Sequence, residues 1–170
     1  RGYLKLRVLD TTDPSAVSRI SQSIDLQKTL FIVSSKSGST IEVDSMFRYF
    51  FGMLNDAGTK EPGRHFVAIT DSGTVLQTLA QENGFRKVFT NPSDIGGRYS
   101  VLSYFGLVPA SLMGIDLIEF LRNAGNMMNM CSNLDPSQNP GVLIGIITGI
   151  AALDGRDKLT LSYTNELKSF

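Results

Sequence analysis

The chain of 170 residues reads as an α/β protein, a three-layer αβα sandwich around a mostly parallel sheet of about five strands. Two observations predict this. Short, nearly all-apolar runs alternate with longer segments in which apolar residues recur at helical spacing, the pattern of parallel strands covered on both faces. Most of these runs also end in a polar loop that leads directly into the next helix, as parallel crossover connections require.

Residues 4–9 alternate apolar and polar, the period of a strand, and meet Asp10-Thr11-Thr12-Asp13, which caps a helix carrying Pro14 in its first turn. Residues 29–34 form a second strand, bounded by Ser35-Lys36-Ser37-Gly38-Ser39-Thr40, and a helix follows over 41–54. Residues 65–70 repeat the strand signal, Asp71-Ser72-Gly73 supplies a turn, and a helix over 74–83 stops at Gly84. A fourth strand covers 86–90. It runs into the turn-rich loop 91–99, and Ser100 is expected to cap helices that fill residues 101–130, with Pro109 kinking or dividing them and 114–116 as a junction. Residues 141–153 are an apolar stretch of 13 residues, short of the roughly 20 that cross a membrane, and read as a buried helix. Its glycines, Gly141, Gly145 and Gly149, recur every four residues and leave one face bare for close packing. Residues 158–163 alternate as a last strand.

Composition narrows the function. Lysine plus arginine equal aspartate plus glutamate at 16 each, with no run of like charge, so neither nucleic acid nor membrane is indicated as a partner. The single cysteine, Cys131, cannot form an intramolecular disulfide and reads as a small buried hydrophobe. Residues 1–3 carry no signal-peptide pattern, and a cytoplasmic setting is expected.

In open α/β sheets ligands bind beyond the carboxyl ends of strands, which directs attention to the loops after residues 34, 70 and 90. The first concentrates hydroxyls, one ammonium and one glycine where a helix begins, and a helix start already favours an anion through its unpaired N–H groups and its dipole. A phosphate fits these donors. The plainer alternative is helix capping, which needs one hydroxyl and not four. The segment is not a Walker loop, because the glycine spacing and the Gly-Lys-Ser/Thr ending are missing. In the loop 91–100, Gly96 and Gly97 permit close backbone approach and Arg98 offers a fixed donor fork for developing negative charge; the alternative is a glycine turn with a solvent-facing arginine. His65 has no cysteine or second histidine nearby to support a metal or triad role. Met127, Met128 and Met130 read as core filler, and Glu42 as a first-turn complement to the helix dipole.

Together, Ser34-Ser35-Lys36-Ser37-Gly38-Ser39-Thr40-Ile41-Glu42 and Asp94-Ile95-Gly96-Gly97-Arg98-Tyr99-Ser100 resemble the two best-known motifs of the sugar isomerase (SIS) domain of glucose-6-phosphate isomerases. Residues 8–14 and 155–160 also look like family segments, and the style is similar to the isomerase half of bacterial transaldolase/glucose-6-phosphate isomerase fusions. The resemblance implies one SIS domain over 1–170, truncated at both ends. It implies that Ser35, Lys36 (through its backbone), Ser37 and Thr40 contact the substrate phosphate, with Ser39 in the same loop. Gly97 and Arg98 would lie at the reacting end, Arg98 stabilising the enediolate formed as glucose 6-phosphate and fructose 6-phosphate interconvert. The family uses no metal or organic cofactor, usually dimerises, and takes a glutamate as base. That glutamate is expected beyond Phe170 and the family's glycine-serine loop before Arg1, so the chain is expected to bind a hexose 6-phosphate without turning it over. The alternatives are a non-catalytic sugar-phosphate-binding SIS module and, more remotely, a flavodoxin-like domain, against which the absence of tryptophan counts.

Overall fold

The computed structural model describes residues 2–162. Two compact units divide the chain, Arg1–Leu117 and Ile118–Phe170.

In the first unit, three parallel strands, β1 (Phe31–Ser34), β2 (Phe66–Asp71) and β3 (Lys87–Asn91), pair in the order β1-β2-β3. Phe31 stands opposite Phe66, and Asp71 at the end of β2 stands opposite Asn91 at the end of β3. Side chains alternate across the sheet, so Phe31, Val33, Phe66, Ala68 and Val88 share one face. The helices α1 (Pro14–Ser23), α2 (Ile41–Asp56) and α3 (Val75–Glu82) supply the residues that pack there: Ile20, Phe47, Phe50, Leu54, Leu76 and Ala80. Phe66 is the hub. Its ring lies 5.0 Å from Phe31, 5.3 Å from Phe47 and 5.2 Å from Phe85, within the range in which aromatic pairs add to simple burial. The opposite face carries Ile32, Val67 and Phe89 and is covered by α4 (Tyr104–Leu112), with a cavity of about 390 Å³ between them. Two helical layers therefore enclose the sheet.

Local chemistry sets the ends of these helices. Asp13 caps α1 by accepting from the Ala16 amide at 2.8 Å, and Thr74 caps α3 through the Gln77 amide at 3.3 Å. Hydrogen bonds from Ser15 and from the Ala16 amide hold the Asp13 carboxyl below its ordinary value. Gly84 follows α3 in the left-handed region with φ 65°, and Gly114 does the same after α4 with φ 82°. Residues 97–102 form a 3-10 helix, so the cap of the next helix is Ser103, not Ser100; Ser103 accepts from the Phe105 amide at 3.3 Å. Pro109 sits inside α4, and the division of this region falls at Gly114.

Two expected strands are absent. Residues 4–9 and 158–162 are not strands, and Tyr163 lies outside the described residues. The sheet of the described residues therefore has three strands rather than about five. An alternating segment becomes a strand only when a neighbouring backbone takes up its hydrogen bonds, and among the described residues neither segment has one.

The second unit contains α5 (Leu117–Cys131), whose first residue belongs to the first unit, and α6 (Pro140–Leu153). Asn139 joins them. Its side chain accepts from the Val142 amide at 3.1 Å, capping α6, and donates to the carbonyls of Cys131 at 2.7 Å and Asn133 at 3.0 Å. The glycine-bearing helix expected to be buried has no buried residue, and Ile144, Ile147 and Ile150 are exposed. Cys131 and the three methionines are exposed too, so they do not act as core here. Spacing identifies a face made for packing but does not supply the element that covers it. Among the described residues no helix is long and apolar enough to cross a membrane.

Candidate functional site

Residues 35–40 leave β1 at its carboxyl end and enter α2. Ser35 is buried, and its amide donates to the Ile69 carbonyl at 3.0 Å, which continues the sheet by one residue. Its hydroxyl then organises the loop, accepting from the Gly38 amide at 3.1 Å and bonding the Thr40 hydroxyl at 2.9 Å. Gly38 is required twice over. Its φ is 68°, and a Cβ there would lie 2.6 Å from the Cβ of Thr74 and 3.0 Å from the Leu76 amide nitrogen. Ser37 and Ser39 are exposed and joined hydroxyl to hydroxyl at 3.2 Å.

Thr40 is the N-cap residue of α2, yet its side chain makes no capping bond, being turned instead to Ser35. None of the hydroxyls satisfies the first turn of α2. The amides of Ile41, Glu42 and Val43 thus keep the unpaired donors with which every α-helix begins. Such donors and the helix dipole suit an anion, and the exposed hydroxyls of Ser37 and Ser39 lie in the same loop.

The ammonium of Lys36 is committed elsewhere. It pairs with Asp71 at the end of β2 and donates to the Ser93 carbonyl, 3.1 Å away, in the loop that follows β3. Asp71 is buried, so this ion pair is partly shielded from water. With Lys36 neutralised and Glu42 and Asp44 both in the first turn of α2, an anion here is held by amides and hydroxyls more than by net charge. Asp44 is itself paired with Arg48 at 2.7 Å, which accounts for one of these carboxylates.

Gly96, Gly97 and Arg98 lie in the loop from β3 to α4, at the same carboxyl edge of the sheet. Space around Gly97 is open, with nothing within 4 Å of where a Cβ would stand. Arg98 is exposed, and its side chain makes no hydrogen bond or ion pair among the described residues. The structure joins the two predicted loops through Lys36 and Ser93, and no hydrogen bond links Arg98 directly to residues 35–40. A groove of about 360 Å³ runs between the first turns of α2 and α3, but its floor is Val33, Phe47 and Leu76 and its lining excludes Arg98. It is not the meeting place of the two motifs.

His65 ends a 3-10 turn before β2, and its Nδ1 lies 3.1 Å from the Thr29 carbonyl, a structural role. No group of three or more candidate metal ligands occurs among the described residues. Asp71 and Asn91 escape a reading of sequence alone. Each is a polar residue ending an apolar strand, and in one dimension that looks like the start of a turn.

Comparison with known proteins places the chain in a family. The chain is 34% identical to a glucose-6-phosphate isomerase of Cyanothece sp. over all of its own length and 33% of the relative's. It is 30% identical to that of Methanocaldococcus jannaschii over 95% of the chain and 40% of the relative. Among solved structures, a hypothetical protein of Thermus thermophilus superposes with a TM-score of 0.78 at 29% identity, covering 84% of this chain and 34% of that one. A glucose-6-phosphate isomerase of Chlamydia trachomatis superposes with a TM-score of 0.73 at 28% identity, covering 84% and 27%. The chain spans about a third of the length of these curated relatives. The family model described as phosphoglucose isomerase matches residues 1–170, and the chain belongs to that family.

Proposed function

We propose that these loops form the phosphate- and enediolate-binding part of a glucose-6-phosphate isomerase, acting on hexose 6-phosphates in glycolysis and gluconeogenesis. The observation that carries the reading is the loop 35–40, which gathers Ser35, Ser37, Ser39 and Thr40 at a helix start that none of them caps. In this reading the phosphate sits on the free amides of α2 and the exposed hydroxyls of the loop, with Lys36 contributing through its backbone. Arg98, across the carboxyl edge of the sheet, braces the negative charge that develops on the sugar as a proton moves between C1 and C2. A guanidinium suits that task because it is always charged and offers a rigid fork of donors.

The family's general base, a glutamate, matches no residue of 1–170 in this reading. A positioned acid or base contributes typically about 10² to 10⁴-fold to rate, so the chain by itself binds substrate and barely converts it. The complete enzyme, cytoplasmic and dimeric, supplies the base and the remaining groups. The 170-residue chain reads as one SIS domain of that enzyme.

Calorimetric titration of the chain tests this. Fructose 6-phosphate binds and fructose does not; failure of hexose monophosphates to bind at millimolar concentration overturns the reading. Arg98→Ala separates an isomerase from a sugar-phosphate sensor. In an isomerase it leaves fructose 6-phosphate binding largely intact but weakens a phosphorylated aldonic acid, whose carboxylate mimics the enediolate, by about tenfold or more, the worth of a charge-assisted bond. Equal affinity of wild type and variant for that acid favours the sensor.

A further inference from the structure

We propose that the side chain of Lys36 is a positioning group, which with Asp71 and Asn91 fixes the Arg98 loop against the phosphate loop. The claim rests on the reading of Arg98 as the group at the reacting end. A lysine within an anion-binding loop is ordinarily taken as a point charge for the phosphate. Here the ammonium already has an acidic partner and a carbonyl: Asp71 Oδ2, on a side chain only 11% exposed, and the Ser93 carbonyl at 3.1 Å. Lys36 is itself only 34% exposed, and together with Asp71 it presents no net charge to a ligand.

Its two partners lie where they can transmit position. Asp71 ends β2, and its amide donates to the Lys36 carbonyl at 3.3 Å, so backbone and side chain both tie the phosphate loop to the central strand. Ser93 opens the segment that carries Arg98. The other end of that segment is held by Asn91, the register partner of Asp71, whose Oδ1 accepts from the Tyr104 amide at 2.9 Å. Residues 92–103 are thus pinned at both ends by side chains rooted at the sheet edge. Among the described residues Asp71 Oδ1 and Asn91 Nδ2, an acceptor and a donor on paired residues, are both buried without a hydrogen-bond partner. Lys36 therefore couples the grip on the phosphate to the location of Arg98.

Loss of Lys36 alone strands a buried carboxylate and can unfold the unit, so the informative variant is Lys36→Met with Asp71→Asn. Amide hydrogen exchange over residues 92–104 of the 170-residue chain is expected to accelerate by about tenfold in that variant, with β2 protection unchanged. Unchanged exchange in this segment overturns the proposal. Binding supplies the second arm: the variant loses about tenfold in affinity for a five-carbon aldonic acid 5-phosphate and less than about threefold for inorganic phosphate, and adding Arg98→Ala costs nothing further. Equal losses for both ligands make Lys36 a direct phosphate ligand and refute the claim, as does an additive effect of Arg98→Ala. If the wild-type chain binds neither anion, the isomerase reading fails, while the exchange measurement still decides whether Lys36 positions the loop.

Discussion

Replacing Gly38 by alanine perturbs fold and site through one methyl group. The residue has φ 68°, where a side chain costs about 1–2 kcal/mol. The added Cβ would also lie 2.6 Å from the Cβ and 2.9 Å from the hydroxyl of Thr74, and 3.0 Å from the Leu76 amide nitrogen. None of these is the loose end of a long side chain: Thr74 caps α3, and Leu76 belongs to its first turn. Overpacking of this kind costs typically about 1–3 kcal/mol, so the total is about 2–5 kcal/mol. The amides of β2, buried along its whole length, exchange mainly when the first unit opens. Gly38→Ala is expected to accelerate their exchange by about 30- to 5000-fold and to abolish hexose 6-phosphate binding, because the loop that the Ser35 hydroxyl organises is displaced. Adding Thr74→Gly removes two of the three clashes but also the partner of the buried Thr70 hydroxyl, so, with glycine tolerated as an N-cap, it recovers only part of the overpacking cost, about 1 kcal/mol. Exchange within about twofold of wild type in Gly38→Ala, or no recovery in the double variant, would show that the contact between loop and α3 is not what holds the site.

Two further outcomes are expected. Because the Asp13 carboxyl titrates below its ordinary value when folded, its cap on α1 is fully effective above about pH 4 and is lost as pH falls further; Asp13→Asn keeps a capping oxygen and flattens this part of the acid side of a urea-midpoint profile, while an unchanged profile would sink the assignment. His65→Ala costs about 1 kcal/mol through the lost bond to the Thr29 carbonyl and leaves sugar-phosphate affinity within about twofold, and a larger loss of affinity would place His65 in the site.

The parts of this molecule legible in its sequence are those decided by local chemistry. β1, β2 and β3 lie within one or two residues of the expected runs, because a short apolar segment between polar loops has few other ways to bury itself. The hydroxyl excess of residues 35–40 is equally local, and so is the pairing of Gly97 with Arg98. Partner-dependent features are not legible. Residues 4–9 alternate as a strand would, but a ladder needs a second backbone that pattern alone cannot provide. The glycines of α6 mark a face for close approach without naming what approaches it. Ser100 and Ser103 are equivalent caps in one dimension, and only the 3-10 turn over 97–102 decides between them. Lys36 shows the limit most clearly: its type and position suggested proximity to phosphate, whereas the destination of its ammonium depends on Asp71 and Ser93, 35 and 57 residues away in the chain.

That destination bears on how the fold distributes labour. Consecutive parallel strands bring the loops after β1, β2 and β3 to one edge, and the chain covers one face of the sheet with α2 and α3 before crossing to α4 on the other. The change of face carries the segment 92–103 from the end of β3 to α4, and its Ser93 carbonyl meets Lys36 of the loop after β1. The two loops leave the two edge strands, β1 and β3, with β2 between them. A tie through the middle strand is the shortest route between them, and Asp71, at the end of β2, is where Lys36 makes it. In the proposed reading the anion is held by amides and hydroxyls, which leaves the lysine free for that task, and the pairing of Lys36 with Asp71 then serves both the neutral cradle and the coupling of the two loops.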